Sequence, residues 1–259
     1  MPHSASEISP DVDLSLPRSE RISIELKRRE LTVSAHELFT PHMLRITLTG
    51  EDLSDFQSPG FDDNVKLFLT VPGPDGEDVL ERRSYTPRRF DVAARELVLD
   101  FALHDAGPAT AWALEAQVGD TLVVGGPRGS RVVHGDISEW LLIGDETALP
   151  AIGRKVEEAP AGTRITVIAG VPGAEDEQQF DSAAEVTCQW LHRPEDQAAE
   201  IAPFLQAVRA LEIGPRTFIW IAAEAAVAQA LKAHVLDERG INPAWIKPSG
   251  YWVKGEAGK

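Results

Sequence analysis

VKLFLTV, Val65 to Val71, places Val65, Leu67, Leu69 and Val71 on one side and Lys66, Phe68 and Thr70 on the other. A period of two belongs to an extended strand with one face in a core. Pro72 to Gly76, PGPDG, follows it with turn chemistry. The same alternation returns in Met43–Thr49 and in Leu97–His104, where Leu97, Leu99, Phe101 and Leu103 share a face. Repeated half-buried strands separated by turns predict an antiparallel sheet, curled into a small barrel.

Near residue 136 the pattern changes. Apolar runs at Trp140–Ile143, Ile165–Ala169, Val186–Leu191, Phe218–Ala222 and Ala244–Ile246 alternate with helical periodicity at 148–158, 198–212 and 225–239. Strands alternating with helices predict βαβ units and a parallel sheet. The connection at 172–184 is acidic and polar, and part of it reads as loop. The expected organisation is a disordered tail over 1–18, a β-barrel domain over 19–135 and an α/β domain over 136–259.

The chain has 259 residues and a net charge of −16, which argues against general nucleic-acid binding. It has no apolar run long enough to cross a membrane, and its Pro-, Ser- and Asp-rich start lacks the pattern of a secretory signal. One cysteine, Cys188, excludes internal disulfides and four-thiolate metal sites, so a reducing cytoplasm is expected and no protein metal site. Residues 81–90 carry four arginines and one acid, a basic island on an acidic chain.

That island contains RSYTPR, Arg83 to Arg88, and HDAGPATAW, His104 to Trp112, follows at a short interval. An aromatic ring beside a hydroxyl and arginines suits a flat, anionic, redox-active cofactor. A glycine turn opening a helix suits a phosphate. The two stretches together suggest a bound flavin dinucleotide.

With GPRGS (Gly126–Ser130), LLIGDETALPAIGR (Leu141–Arg154), WLHR (Trp190–Arg193) and GYWVKG (Gly250–Gly255), these motifs make residues 20–255 resemble the siderophore-interacting protein family, a branch of the ferredoxin–NADP reductase superfamily. The resemblance implies a six-stranded FAD-binding barrel, an NAD(P)H-binding α/β domain, and reduction of a ferric siderophore by a monomer with NADPH, or NADH, as donor. It puts Tyr85 on the isoalloxazine with Thr86 near its N5 edge, and Arg83 and Ser84 beside the cofactor. Asp100 and His104 flank the flavin, and Gly107, Pro108, Ala109 and Thr110 form the phosphate loop. Trp112 reads as helix core.

GDETALP is not GxGxxG. By resemblance it is the nicotinamide dinucleotide loop, with Thr147 facing phosphate and Asp145 serving geometry. Arg193 is expected on the adenosine 2′-phosphate, and Lys66, Arg128 and Lys254 around an anionic substrate. Val253 stands where many relatives carry a further basic residue. Competing expectations are a flavin reductase for a protein or quinone acceptor, and a siderophore-binding protein without catalysis.

Overall fold

The computed structural model describes residues 16–72, 75, 77–103 and 107–256. The expected tail falls mostly outside them, although Leu16 packs on the core and the first strand opens at Arg18. His104 and most of the PGPDG turn also lie outside the described residues.

The first half is an antiparallel sheet of β2 (Arg28–Thr40), β3 (Met43–Thr49), β4 (Val65–Pro72), β5 (Asp78–Tyr85), β6 (Pro87–Asp91), β7 (Glu96–Ala102) and β8 (Thr121–Gly125). Its order is β5-β4-β8-β2-β3-β7-β6. Seven strands are paired, but β5 and β6 are one chain passing through Thr86 from one edge of the sheet to the other. Counted as one bent strand they make six, and the backbone at Thr86 joins the two edges of the curled sheet. A two-stranded ribbon of β1 (Arg18–Ser23) and β9 (Gly129–His134) stands outside it.

The alternating residues line the barrel core, with Leu44, Ile46, Leu48, Val65, Leu67, Leu69, Leu97, Leu99 and Phe101 buried. Helix α1 (Pro108–Glu115) packs Ala109 and Ala113 into that core. Strand β7 is buried on both faces, because Ala102 joins Met43 in a cluster with Trp140 and Leu149 of the second half.

The second half is a parallel sheet in the order β12-β11-β10-β13-β14. The strands are β10 (Glu139–Gly144), β11 (Arg164–Val171), β12 (Glu185–His192), β13 (Thr217–Glu224) and β14 (Ile246–Trp252). Helix α2 (Leu149–Glu157) covers one face through Leu149, Ile152 and Val156, against Trp140, Leu142 and Val167. The other face packs Leu141, Ile143, Ile219 and Ile221 on α3 (Ile201–Ala210) and α4 (Ala225–Ala233). Beyond Ala233 the expected helix continues as a single π-helical turn, His234–Glu238.

The last strand departs from expectation. Pro243–Trp245 is a 3-10 turn capped by Asn242, and the strand starts at Ile246. It carries Pro248, which an edge strand tolerates because an outward-facing N–H is dispensable there. Strand order reverses between β10 and β13, where the crevice beyond the strand ends is the usual ligand position of an open α/β sheet.

Candidate functional site

Two corners are built where the halves meet. The first is the bend at Thr86. Residues paired across β4 and β5 point the same way, so Tyr85 and Arg83 share the face of Val65 and Leu67. The Tyr85 ring lies 4.4 Å from Phe101, which in turn touches Trp112 at 5.9 Å. Burial raises the Tyr85 phenol well above its ordinary range, so it stays protonated. Arg83 donates to the Arg82 carbonyl at 3.0 Å and pairs with Glu81.

Helix α1 starts beside this strand pair with Gly107 as its cap residue, Pro108 in the first turn and no capping side chain. Among the described residues, a Cβ at Gly107 would meet nothing within 4 Å. A helix N-terminus to which no described side chain is bonded suits a diphosphate, since its dipole and N–H groups favour an anion. The corner fits a flavin dinucleotide: a mostly buried ring, a nearby guanidinium and a helix start.

Other expected cofactor residues lie elsewhere. Ser84 points to the opposite face, where its hydroxyl meets the Lys66 ammonium at 2.5 Å. Ala109 is core. Asp100 is buried and grips Arg45 with both oxygens at 2.7 Å, while Arg88, 3.6 Å away, pairs with Glu157 of α2. Asp100 is therefore spent on barrel arginines with no free edge for a ligand, and Arg88 carries the tie to the second half. The cause is the second buried face of β7, where a carboxylate must be paired.

The second corner is the reversal point between β10 and β13. Asp145 is fully buried at the end of β10. Its carboxylate accepts from Thr147 N at 3.0 Å, Glu224 N at 2.8 Å and Trp252 Nε1 at 2.8 Å, and from the Thr147 hydroxyl. The Thr147 proton is thus committed to Asp145, and Thr147 has no donor left for phosphate. Gly144 is required here, since a Cβ would lie 2.4 Å from Ala148 Cβ and 2.8 Å from Ala222 O.

Arg193 reaches this loop from below. Its guanidinium, with 2% of the side chain exposed, donates to Glu146 at 2.8 Å and lies against Gly170 and Phe204. Burial, then the Asp145 charge, raises the Glu146 carboxyl, and Arg193 opposes them. In this arrangement Arg193 supports the loop and offers no surface to a 2′-phosphate.

The three expected substrate cations do not converge. Lys66 is on Ser84, its ammonium lowered by burial and then by Arg82 and Arg83. Lys254 donates to the Asp196 carbonyl at 3.1 Å. Arg128 alone of the three lines a cavity of about 380 Å³ between the β1–β9 ribbon, the 62–64 loop and β14.

The residues that join the corners come from β14. The Tyr251 hydroxyl lies against the Thr86 side chain, and burial raises its phenol. Trp252 bonds Asp145. Lys247, on the same face of β14 as Ser249 and Tyr251, pairs with Asp62 at 2.7 Å, and Asp62 also accepts from Trp220 Nε1 at 2.9 Å. Reading 246–252 as a strand, despite its proline, brings Lys247, Ser249 and Tyr251 onto one face.

The sequence model described as "Siderophore-interacting protein" matches residues 137–255. That described as "Siderophore-interacting FAD-binding domain" matches residues 32–82 and 73–131. An NADPH-dependent ferric-chelate reductase of Escherichia coli (strain K12) is 33% identical over 252 residues, covering 90% of this chain and 96% of its own. A siderophore utilization protein from T. fusca superposes with a TM-score of 0.83 at 36% identity, over 93% of this chain and 98% of that one. The siderophore-interacting protein SipS from Aeromonas hydrophila does so with a TM-score of 0.74 at 31% identity, over 88% and 92%.

Proposed function

The chain belongs to the siderophore-interacting protein family, and from that premise we propose that it is an FAD-dependent reductase that uses NADPH to reduce Fe(III) to Fe(II) in a ferric siderophore. One observation carries the reading. Tyr251 touches the Thr86 corner, and its neighbour Trp252 touches the Asp145 loop. Strand β14 thus adjoins both half-sites through neighbouring residues, which favours rings held in them lying in the direct contact that hydride transfer requires.

When bound, FAD supplies acceptance of two electrons and their release one at a time. The chain supplies position. Tyr85, backed by Phe101, would offer a stacking face, and the N–H groups after Gly107 would hold the diphosphate. Asp145 and Trp252 would fix the dinucleotide loop to β14, whose Tyr251 meets Thr86. Arg128 draws an anionic chelate toward the junction. Hard oxygen donors hold Fe(II) less tightly than Fe(III), so reduction loosens the metal. In this reading the protein acts in the cytoplasm and as a monomer. Separately, among the described residues no helix is long and apolar enough to cross a membrane.

Anaerobic turnover with an Fe(II)-trapping dye tests the reading. One NADPH carries two electrons, so the expected yield is about two Fe(II) per NADPH oxidised, dependent on added FAD. NADPH oxidation without Fe(II) would refute it.

A further inference from the structure

The cavity holding Arg128 is also lined by Arg21 of β1 and Arg131 of β9. Arg21 and Arg131 are direct partners across the ribbon. Like charges directly opposite on paired strands repel and destabilise the pairing. The chain has 41 acids against 25 bases, yet among the described residues no ion pair or hydrogen bond engages the guanidinium of Arg21, Arg128 or Arg131. The acids at the cavity are already used: Asp62 holds Lys247 and Trp220, and Asp63 accepts from Ser58 and the Gly60 amide. The cavity is therefore positive and its three arginines are unspent.

Its position relative to the flavin corner follows from the strands. Asn64 precedes Val65, the partner of Tyr85, and a Cβ at Gly126 would lie 3.8 Å from the Asn64 carbonyl. From Gly126 the chain leads through Arg128 into β9, and Arg131 is three residues beyond Arg128, about 10 Å along the strand. By this chain path Arg128 comes before the Arg21–Arg131 pair on the way from the flavin corner. A chelate with its iron at the flavin edge would reach the pair with its periphery.

We infer that Arg21 and Arg131 form a clamp for a carboxylate that does not bind the iron, so that the substrate class is ferric chelates with a pendant carboxylate. This rests on the proposed reductase reading. Two guanidinium groups side by side on one face of the ribbon offer planar donor forks that match the two-oxygen geometry of a carboxylate.

The test uses the FAD-loaded full chain and redox-inert gallium(III) complexes, with tryptophan fluorescence reporting Kd. Gallium tris(2,3-dihydroxybenzoate) carries pendant carboxylates; gallium tris(catecholate) has the same catecholate donors without them. Wild type is expected to bind the first about tenfold more tightly, as one charge-assisted pair would give. Arg21→Gln/Arg131→Gln should bring the two within about twofold. Arg21→Lys/Arg131→Lys, which keeps the charge and loses the forks, should also lose most of the preference. Retention of the preference in the Gln variant, or in full in the Lys variant, overturns the clamp. Equal wild-type affinities overturn it as well. Because gallium is not reduced, these outcomes are independent of whether the ferric complexes are turned over, which tests the reductase reading instead.

Discussion

Asp145 is the residue on which the two corners turn. A buried carboxylate needs its lone pairs filled, and here three N–H groups and a hydroxyl from three segments fill them. The neighbouring acid in GDETALP has a different partner, Arg193, at 2.8 Å. Two acids beside an expected phosphate loop are thus accounted for without either facing phosphate. Trp252→Phe removes one donor and keeps an aromatic ring. It is expected to slow flavin bleaching by NADPH about tenfold in stopped flow, while FAD affinity stays within about twofold. A loss of FAD affinity with unchanged bleaching would contradict this role. The tie itself was not legible in the sequence, because Asp145 and Trp252 are 107 residues apart and meet only through strand order.

At the scale of elements, α2 shows what the pattern reveals and what it hides. The helix is readable from its apolar spacing, and the structure keeps it over Leu149–Glu157. The strands with one buried face, such as Met43–Thr49 and Val65–Pro72, were equally legible. Strand β14 was not, since its proline and its glycine mask the pattern of an edge strand. Polar members of α2 also gave no signal of their destination. Lys155 lies 3.6 Å above the Trp140 ring, and burial lowers its ammonium from 10.5 to about 8. Below about pH 8 it is charged in both folded and unfolded chains, and the cost of burying it is fully present. Between 8 and 10.5 the folded protein has released a proton that the unfolded chain keeps. Unfolding then takes up a proton, so this group makes stability rise with pH across that window. Lys155→Met is expected to remove that rise and to add about 1 kcal/mol near pH 7, the lost cation–π contact offsetting part of the gain. Urea unfolding from about pH 7 to about pH 10 measures both; an undiminished slope in the variant would assign it to another group.

At the scale of the molecule, the halves are locked by buried polar ties. Arg154 of α2, 2% exposed, donates to the Ser58 carbonyl at 2.9 Å, the Ser58 hydroxyl at 2.9 Å and the Gly60 carbonyl at 3.1 Å. Asp176, from the 172–184 connection, takes Thr40 at 2.8 Å and His42 at 2.7 Å from the barrel. The two-part architecture was legible from the switch in periodicity near residue 136, but these ties were not, because each joins residues far apart in sequence. Arg154→Met leaves buried carbonyls unsatisfied and should cost about 3 kcal/mol. Wild type should unfold in one transition by circular dichroism and by flavin fluorescence, whereas the variant should separate the two midpoints. Coincident midpoints in the variant would show that apolar contact alone couples the halves.

The central claim is that the Thr86 corner and the Asp145 loop hold two reacting rings in contact. Anaerobic visible absorption of the FAD-saturated protein tests it most directly. The account predicts that one equivalent of NADPH bleaches the bound flavin and that about two equivalents of ferric chelate restore its colour. A protein that stays colourless after FAD addition and removal of the excess, or a bound flavin that NADPH leaves oxidised, would contradict it.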